Sequence, residues 1–340
     1  MIRKCWYKHT KLFLIVTLTV IFLKGCYSFS EQKVYSPTAK LITSECRIIK
    51  HELGESCIPL HPQRIVVTGQ DILEVVVALG LKPVGTVRAN IVGSKARVLA
   101  GKVDDITYLG RESQPNIEKM VQLHPDLILG FGIEPQNYNL FSQIAPTVSI
   151  EFGQHNIWKY YLRRIAEILD KSEEAEKLLA HYQQRVQQIQ MAMGKRLSQL
   201  DISVTRFYAG HSFTQFQTQL SFSGSVLEDL KLSIPATQLQ VSQGKSSDHT
   251  YIQVSLERLD LLDGDILFVA LDPGAERNFS KYKNSSLWQT LHAVKNERVY
   301  LVDSGYWIFG NILSANAILD DLFKVIHDEI NTKNVTTTKL

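Results

Sequence analysis

The pattern of apolar and polar positions in residues 114–132 predicts a helix followed by a buried strand. Pro115 suits the first turn of this helix, and His124 is expected to end it because the residue before a proline avoids the helical region. The next residues, 126–129, form a short apolar run typical of a buried strand, and residues 130–132 open a loop at its carboxyl end. The helix presents one apolar face, made by Ile117, Met120, Val121 and Leu123.

Residues 254–269 repeat this design in the second half of the chain. The second unit has Leu256, Leu259, Leu262 and Ile266 at the positions of Ile117, Met120, Leu123 and Leu127 in the first. Each unit also carries a glutamate on its polar face, Glu118 or Glu257, at the same distance before the aspartate that begins the strand. A supersecondary unit that occurs twice predicts two similar lobes.

The remaining chain alternates strand and helix patterns, which indicates parallel sheet covered on both faces. Residues 173–200 form one long helical pattern that would span ~40 Å at 1.5 Å per residue. We therefore predict an α/β fold of two Rossmann-like lobes, each with a mainly parallel sheet, joined by one long rigid α-helix. A surface helix that belongs to one lobe is the alternative. The predicted divisions are a signal peptide (1–25), a tether with a hairpin (26–61), the N-terminal lobe (62–170), the linking helix (171–200), the C-terminal lobe (201–330) and a disordered tail (331–340).

The N-terminus has the features of an export signal. Basic residues precede an apolar run at 12–23, which is shorter than the ~20 residues that a membrane-spanning helix needs. Gly25-Cys26 at the end of the run resembles a bacterial lipoprotein cleavage site, where Cys26 would carry the lipid. Lys24 departs from the small or apolar residue usual there. An uncleaved or conventionally cleaved signal, with Cys26 incidental, is the alternative.

Net charge changes once this segment is set aside. The whole chain has a formal charge of +3, but residues 1–25 hold five basic and no acidic side chains. The rest of the chain has 32 basic against 34 acidic residues, a formal charge of −2. This balance argues against a nucleic-acid partner, and it leaves the lipid anchor as the expected link to the membrane.

Two cysteines remain outside the signal segment and its lipidation site. Cys46 and Cys57 lie eleven residues apart, in a stretch that reads as a hairpin with Gly54 near its turn. In an exported protein such a pair predicts a local disulfide. Two free buried cysteines are the alternative.

Signatures of catalysis are sparse. The sequence has no G-x-S-x-G elbow, no P-loop and no H-E-x-x-H, and the glycines at 130 and 132 are followed by Pro135 where a dinucleotide fingerprint needs a third glycine. The ten histidines are scattered, so no metal site of histidines and carboxylates is expected. We predict a protein that is not an enzyme and has no cofactor; an exported metal enzyme is the remote alternative.

Arginines and aromatic residues follow several predicted strands, where ligands bind in open α/β sheets. Such side chains suit a bulky anionic or aromatic ligand, because arginine pairs with carboxylates and aromatic rings form rigid walls. Trp307 is the strongest candidate, since its loop holds three aromatic residues. For each residue a surface or core role is the alternative. The candidates are Arg88, Arg111, Phe131 and Tyr138 in the first lobe, and Arg206, Tyr208, Phe222, Tyr306, Trp307 and Asn311 in the second.

Seven short stretches, spread over residues 60–330, resemble the substrate-binding lipoproteins of iron–siderophore ABC importers. These are class III periplasmic binding proteins with a single linking helix, and the group has haem- and vitamin B12-binding relatives. With the pair Cys46 and Cys57, the chain looks most similar to cyanobacterial ferric-siderophore binders. The stretches are RIVV (64–67), LGLKPVG (79–85), QPNIE (114–118), PDLIL (125–129), FSGSVLEDL (222–230), DGDILF (263–268) and ILDDL (318–322).

This resemblance implies a monomeric binding protein, lipid-anchored on the periplasmic side of the cell membrane. The ligand would be a ferric siderophore held in a shallow cleft between lobes that open little. Glu118 and Glu257 would dock onto a permease dimer that works with a cytoplasmic ATPase. Haem or a cobalamin-type tetrapyrrole is the alternative ligand, and Tyr208, His211 and Tyr306 keep it open.

Overall fold

A computed structural model describes residues 46–89, 96–151, 153, 158–194, 199–244 and 249–337, with side chains up to residue 326. The described residues belong to one compact unit, Glu45–Leu340. The predicted signal peptide, Cys26 and most of the tether lie outside the described residues. Among the described helices, none has the length and apolar character needed to cross a membrane.

The first half of the described chain contains a hairpin and a six-stranded sheet. The sheet order is β6-β5-β4-β3-β7-β8, and every neighbouring pair is parallel except β5 and β6. The elements are β1 (Cys46–His51), β2 (Gly54–Pro59), β3 (Ile65–Val67), α1 (Gln70–Ala78), β4 (Gly85–Arg88), α2 (Ala96–Leu99), β5 (Thr107–Arg111), β6 (Gln114–Pro115), α3 (Ile117–Gln122), β7 (Leu127–Phe131), α4 (Pro135–Phe141), β8 (Thr147–Ile150) and α5 (Trp158–Ile168).

The linking helix is α6 (Ser172–Met193), 22 residues long. It is shorter than the predicted helix because it ends at Gly194, whose φ of 58° lies in the left-handed region that glycine enters without strain. Its length of ~33 Å still spans most of a domain.

The second half contains a five-stranded sheet of order β11-β10-β9-β12-β13. Strands β9, β12 and β13 are parallel, whereas β10 is antiparallel to both of its neighbours. The elements are β9 (Ile202–Phe207), β10 (Thr214–Gln217), α7 (Phe222–Asp229), α8 (Ala236–Gly244), β11 (Tyr251–Val254), a 3-10 helix (Leu256–Leu262), β12 (Ile266–Leu271), α9 (Glu276–Lys283), a 3-10 helix (Trp288–Thr290), α10 (His292–Lys295), β13 (Val299–Asp303), α11 (Ser304–Trp307) and α12 (Ile312–Thr337).

The predicted α/β architecture of two sheets and a linking helix is confirmed, with differences in local structure. Pro115 lies in β6, and α3 starts later because the Asn116 side chain caps it by accepting a hydrogen bond from the Lys119 N–H at 2.9 Å. The equivalent helix of the second half is a 3-10 helix kinked at Arg258. Residues 236–251, whose polar composition predicts a loop, contain α8, and α12 continues through residues 331–337, where a tail was predicted.

The N-terminal hairpin is closed by a disulfide between Cys46 and Cys57, whose Cα atoms lie 5.5 Å apart. It packs on the first sheet and on α5. The Ser56 hydroxyl donates to the Thr147 carbonyl at 2.6 Å, and Arg164 donates to the Lys50 carbonyl at 2.6 Å. The hairpin is therefore part of the first lobe's surface.

One hydrophobic cluster runs through both lobes and includes residues of α1, α5, α6, α7 and α12. Separate clusters cover the outer face of each sheet. Helix α12, predicted as part of the C-terminal lobe alone, packs on α6 and α7 and also on α1, α2 and α5 of the first half. The lobes therefore share a core, which restricts their relative motion.

A buried glutamate joins the two lobes at this core. The Glu74 side chain in α1 accepts hydrogen bonds from the backbone N–H groups of Asn311 (2.9 Å) and Ser314 (2.8 Å) and from the Ser314 hydroxyl (2.7 Å). It thereby caps the first turn of α12 with a carboxylate from the opposite lobe. Asn311 in turn donates its side-chain amide to the Trp158 carbonyl at 3.0 Å.

Two substitutions at Glu74 are expected to show how much of its contribution to the free energy of unfolding comes from its hydrogen bonds and how much from its charge. Glu74→Leu leaves two buried N–H groups without acceptors and should lower the free energy of unfolding by about 3 kcal/mol. Glu74→Gln keeps an oxygen that can accept from both groups and should lower it by about 1 kcal/mol or less. Urea denaturation followed by circular dichroism measures both values, and equal losses in the two variants would contradict the capping role.

Candidate functional site

The carboxyl ends of the parallel strands of the first sheet form one edge, which we call the first edge. Gly69 follows β3, Arg88 ends β4, Arg111 ends β5 and Phe131 ends β7. In open α/β sheets ligands bind beyond this end of the strands. Three of the four candidates predicted in the first lobe are therefore brought together by the sheet.

Arg88 and Arg111 are direct neighbours across β4 and β5, and both are exposed. A bulge in β5 creates this register, and Gly110 permits it with a φ of 98°. The Arg88 guanidinium lies 4.8 Å from the centre of the Tyr108 ring. Among the described residues, neither arginine forms a salt bridge with a carboxylate. Two like charges held side by side repel each other, so an anion between them would be stabilising.

Phe131 gives the first edge an aromatic wall together with Tyr161 of α5, at a ring-centre distance of 4.6 Å. Gly69 borders this wall: a Cβ there would lie 3.5 Å from the Glu112 carboxylate and 3.9 Å from the Phe131 ring, both ordinary contact distances. Tyr161 was not predicted from the sequence, although it lies off the apolar stripe of its helix. Tyr138 contacts the hairpin, with its ring centre 5.4 Å from that of His51.

The second edge is formed by the ends of β9 and β12 and by the loop after α11. Arg206 is buried there and pairs with Asp272, which directly follows β12, through Nε at 3.1 Å and Nη2 at 2.8 Å. The guanidinium also lies 4.6 Å from the Tyr208 ring centre and 5.6 Å from that of Phe309. Nη1 is the nitrogen that takes no part in the bonds to Asp272.

Aromatic side chains surround this arginine. The His211 ring centre lies 5.3 Å from that of Tyr208 and 4.9 Å from that of Phe213. Burial raises the pKa of Tyr208 well above its ordinary value, although the nearby Arg206 charge acts in the opposite direction. The phenol therefore keeps its proton at neutral pH and can donate a hydrogen bond.

Besides Arg206, four candidates of the second lobe are buried, and these four lie in the core. Trp307, the strongest candidate from sequence, is fully buried, stacks on Phe268 at 4.6 Å and donates its indole N–H to Asp321 at 2.9 Å. The reason is that α11 turns this aromatic segment into the core. The same correction applies to Tyr306, Phe222 and Asn311, which are 1%, 7% and 1% exposed.

Glu118 and Glu257 occupy matching places on the two edges. Glu118 lies in the first turn of α3, directly after β6, and Glu257 lies in the 3-10 helix directly after β11. Both strands are the outermost of their sheets, and both glutamates are exposed. A hydrogen bond from Ser255 and the charge of Lys281 lower the pKa of Glu257, which keeps it ionised.

The lobe junction connects the two edges along the chain. Phe309 of the second edge is two residues from Asn311, whose backbone N–H donates to Glu74 in the middle of α1. Helix α1 begins next to Gly69 of the first edge. We call the space above this junction the cleft. Within the described part of the chain, no group of three or more histidine, cysteine or acidic residues is arranged to hold a metal ion.

Comparison with known proteins agrees with this architecture. A family model described as periplasmic binding protein matches residues 65–306. The probable siderophore-binding lipoprotein YfiY of Bacillus subtilis is 31% identical over 93% of this chain and 97% of its own length. The Fe(3+)-citrate-binding protein YfmC of the same organism is 28% identical over 93% of this chain and 96% of its own length.

A solved structure supports the same assignment. The crystal structure of Staphylococcus aureus SirA complexed with staphyloferrin B has a TM-score of 0.70 and 30% identity, and the match covers 83% of this chain and 98% of that one. The family and these relatives are binding proteins and not enzymes. The resemblance to iron–siderophore binding lipoproteins inferred from the sequence is thus confirmed. The chain belongs to the periplasmic binding protein family.

Proposed function

We propose that the protein is the substrate-binding component of an ABC importer, which captures a ferric siderophore in the cleft and delivers it to an inner-membrane permease. The proposal rests on the composition of the two edges. Both carry arginine and aromatic side chains, and the described residues contain no cluster of metal ligands. Such a cleft suits iron that arrives with its ligands already bound. The names of YfiY and YfmC and the complex of SirA with staphyloferrin B support the same function.

The finer parts of the proposal concern localisation and partners. We propose export and lipid anchoring at Cys26, which the lipoprotein name of YfiY supports. We also propose that Glu118 and Glu257 dock onto a permease dimer driven by a cytoplasmic ATPase. One exposed carboxylate follows the outer strand of each lobe, and the shared core keeps the two at a fixed spacing. This arrangement suits a symmetric partner with basic sites at the same spacing.

A tetrapyrrole is the second candidate ligand, because Tyr208 and His211 lie together at the second edge. Coordination of haem iron by Tyr208 would need the phenolate, which the raised pKa of this residue disfavours. Tyr306 does not support haem binding, since it is buried and donates its hydroxyl to Asp321 at 2.6 Å.

Ligand titration tests the proposed function. The purified protein without residues 1–26 is titrated with ferric citrate, a ferric hydroxamate, a ferric catecholate, haem and cobalamin while tryptophan fluorescence is recorded. We expect a ferric chelate to quench the fluorescence at sub-micromolar concentration, and its iron-free form to have no such effect. A response to haem alone would replace the siderophore with a tetrapyrrole.

A further inference from the structure

We infer that the two edges divide the recognition of the ligand, so that Arg88 and Arg111 of the first edge bind carboxylates while the second edge is an aromatic wall without net charge. The ligand class that fits is an anionic, carboxylate-bearing ferric chelate with its free carboxylates directed at the first lobe. This inference rests on the proposed function and adds to it the ligand's class and orientation.

Arg88 and Arg111 form a pair of positive charges at the first edge. They lie opposite each other on neighbouring strands because a bulge in β5 shifts the register. Tyr108 holds the Arg88 guanidinium by a cation–π contact, which orients it without neutralising it. A carboxylate that bridges two guanidinium groups receives charge-assisted hydrogen bonds from both, and these are the strong class of hydrogen bond.

Four acidic residues lie on the same edge. Glu112 follows Arg111 and Asp71 follows β3, the strand next to β4, and both already have an interaction of their own. Glu134 follows β7, two strands from β4, which is about 10 Å at about 4.8 Å per strand. Glu151 lies after β8, which is three strands from β4 in the sheet order. At about 4.8 Å per strand that is a distance of about 14 Å, beyond the screening length in physiological salt. Glu151 therefore does not cancel the charge of the arginine pair.

Arg206 differs from the arginines of the first edge. Its side chain and that of Asp272 are 6% and 3% exposed and are joined by three hydrogen bonds, so the pair carries no net charge toward the cleft. The guanidinium lies 4.6 Å from the Tyr208 ring centre and 5.6 Å from that of Phe309, and it also hydrogen-bonds to the Tyr208 side chain. This surface suits stacking and one directional hydrogen bond, not the attraction of an anion.

The loss of affinity expected on removing one arginine follows from the strength of charge-assisted hydrogen bonds. Losing one hydrogen bond to a charged group weakens binding by roughly tenfold or more. Arg88→Gln and Arg111→Gln should each weaken binding of ferric citrate by about tenfold, and the double variant by about a hundredfold. Because both side chains are exposed, these variants should fold normally, which thermal unfolding checks.

The test compares an anionic and an uncharged iron chelate. The protein and its variants are titrated with ferric citrate and with an uncharged ferric trihydroxamate, at sodium chloride concentrations from about 0.05 M to about 0.5 M. The matched control is Lys82→Gln, which removes one positive charge just before β4, at the opposite edge of the same sheet. We expect the wild type to prefer ferric citrate by at least about tenfold and to lose affinity as salt rises. Lys82→Gln should behave as the wild type, whereas the double variant should lose the salt dependence.

Two results would overturn the inference while leaving the proposed function intact. One is equal or tighter binding of the uncharged trihydroxamate by the wild type. The other is unchanged affinity for ferric citrate in the double arginine variant. Failure of the wild type to bind any ferric chelate would instead overturn the proposed function together with the inference.

Discussion

The double variant Glu118→Ala/Glu257→Ala is expected to bind its ferric chelate with unchanged affinity and to lose chelate uptake almost completely. Both side chains are exposed and follow the outermost strand of their sheet, whereas the residues proposed to contact the ligand lie on strands nearer the centre. If the two glutamates make the proposed charged contacts with the permease, their loss should weaken docking by about a thousandfold, at roughly 2 kcal/mol for each pair. The measurement is uptake of radioactive ferric chelate by cells that carry the variant as their sole binding protein.

The control for this experiment removes two other exposed glutamates. Glu55 lies in the hairpin, and Glu297 precedes β13 at the edge of the second sheet that faces away from the cleft. Glu55→Ala/Glu297→Ala changes the net charge equally and should support normal uptake. Each single variant at Glu118 or Glu257 should show an intermediate rate, because one docking contact remains. Loss of ligand binding in the purified Glu118/Glu257 double variant would contradict a docking role.

Asp272→Asn is expected to destabilise the fold strongly. This change leaves the Arg206 guanidinium buried without its counter-charge, and breaking a buried ion pair in this way costs about 3–5 kcal/mol. At two to four degrees per kcal/mol, the unfolding temperature should fall by about 10 °C. Differential scanning calorimetry measures the shift.

An exposed pair of the same chemistry provides the control. Arg258 and Asp260 form an ion pair with side-chain exposures of 58% and 60%. Asp260→Asn should change the unfolding free energy by about 0–1 kcal/mol, because solvent screens exposed pairs. A comparable small loss for Asp272→Asn would mean that Arg206 turns toward solvent when its partner is removed, and would contradict the description of a neutralised arginine at the second edge.

The fold was predicted correctly from the sequence where the apolar face indicated by the residue pattern is the face that the structure buries. The helix and strand of the repeated unit, with apolar residues such as Met120 and Leu127 in place, were found because one face of each element is buried. Helix α8 was missed because its polar composition gives almost no amphipathic signal. The linking helix was overextended because a single glycine, Gly194, is tolerated inside a helical pattern and ends the helix only when its backbone turns left-handed.

Four candidate site residues lie where the strand pattern places them, and their role in ligand binding stays a prediction. Arg88, Arg111 and Phe131 end their strands and Tyr208 follows one, and the order of a parallel sheet places such ends along one edge. Trp307 was misassigned because an aromatic residue after a strand can face the cleft or the core. The direction depends on α11, a helix of four residues that the sequence pattern does not predict.

The sequence by itself determined the α/β class, the duplicated unit, the linking helix and the set of strand ends that carry arginine and aromatic residues, because periodicity and residue type are local properties. The tertiary structure alone decided which arginines carry free charge. Asp272 neutralises Arg206 from a different strand, and the bulge at Gly110 sets Arg111 beside Arg88. It also decided that Glu74 of one lobe caps a helix of the other. These features depend on contacts between residues far apart in sequence, and local sequence patterns do not predict such contacts.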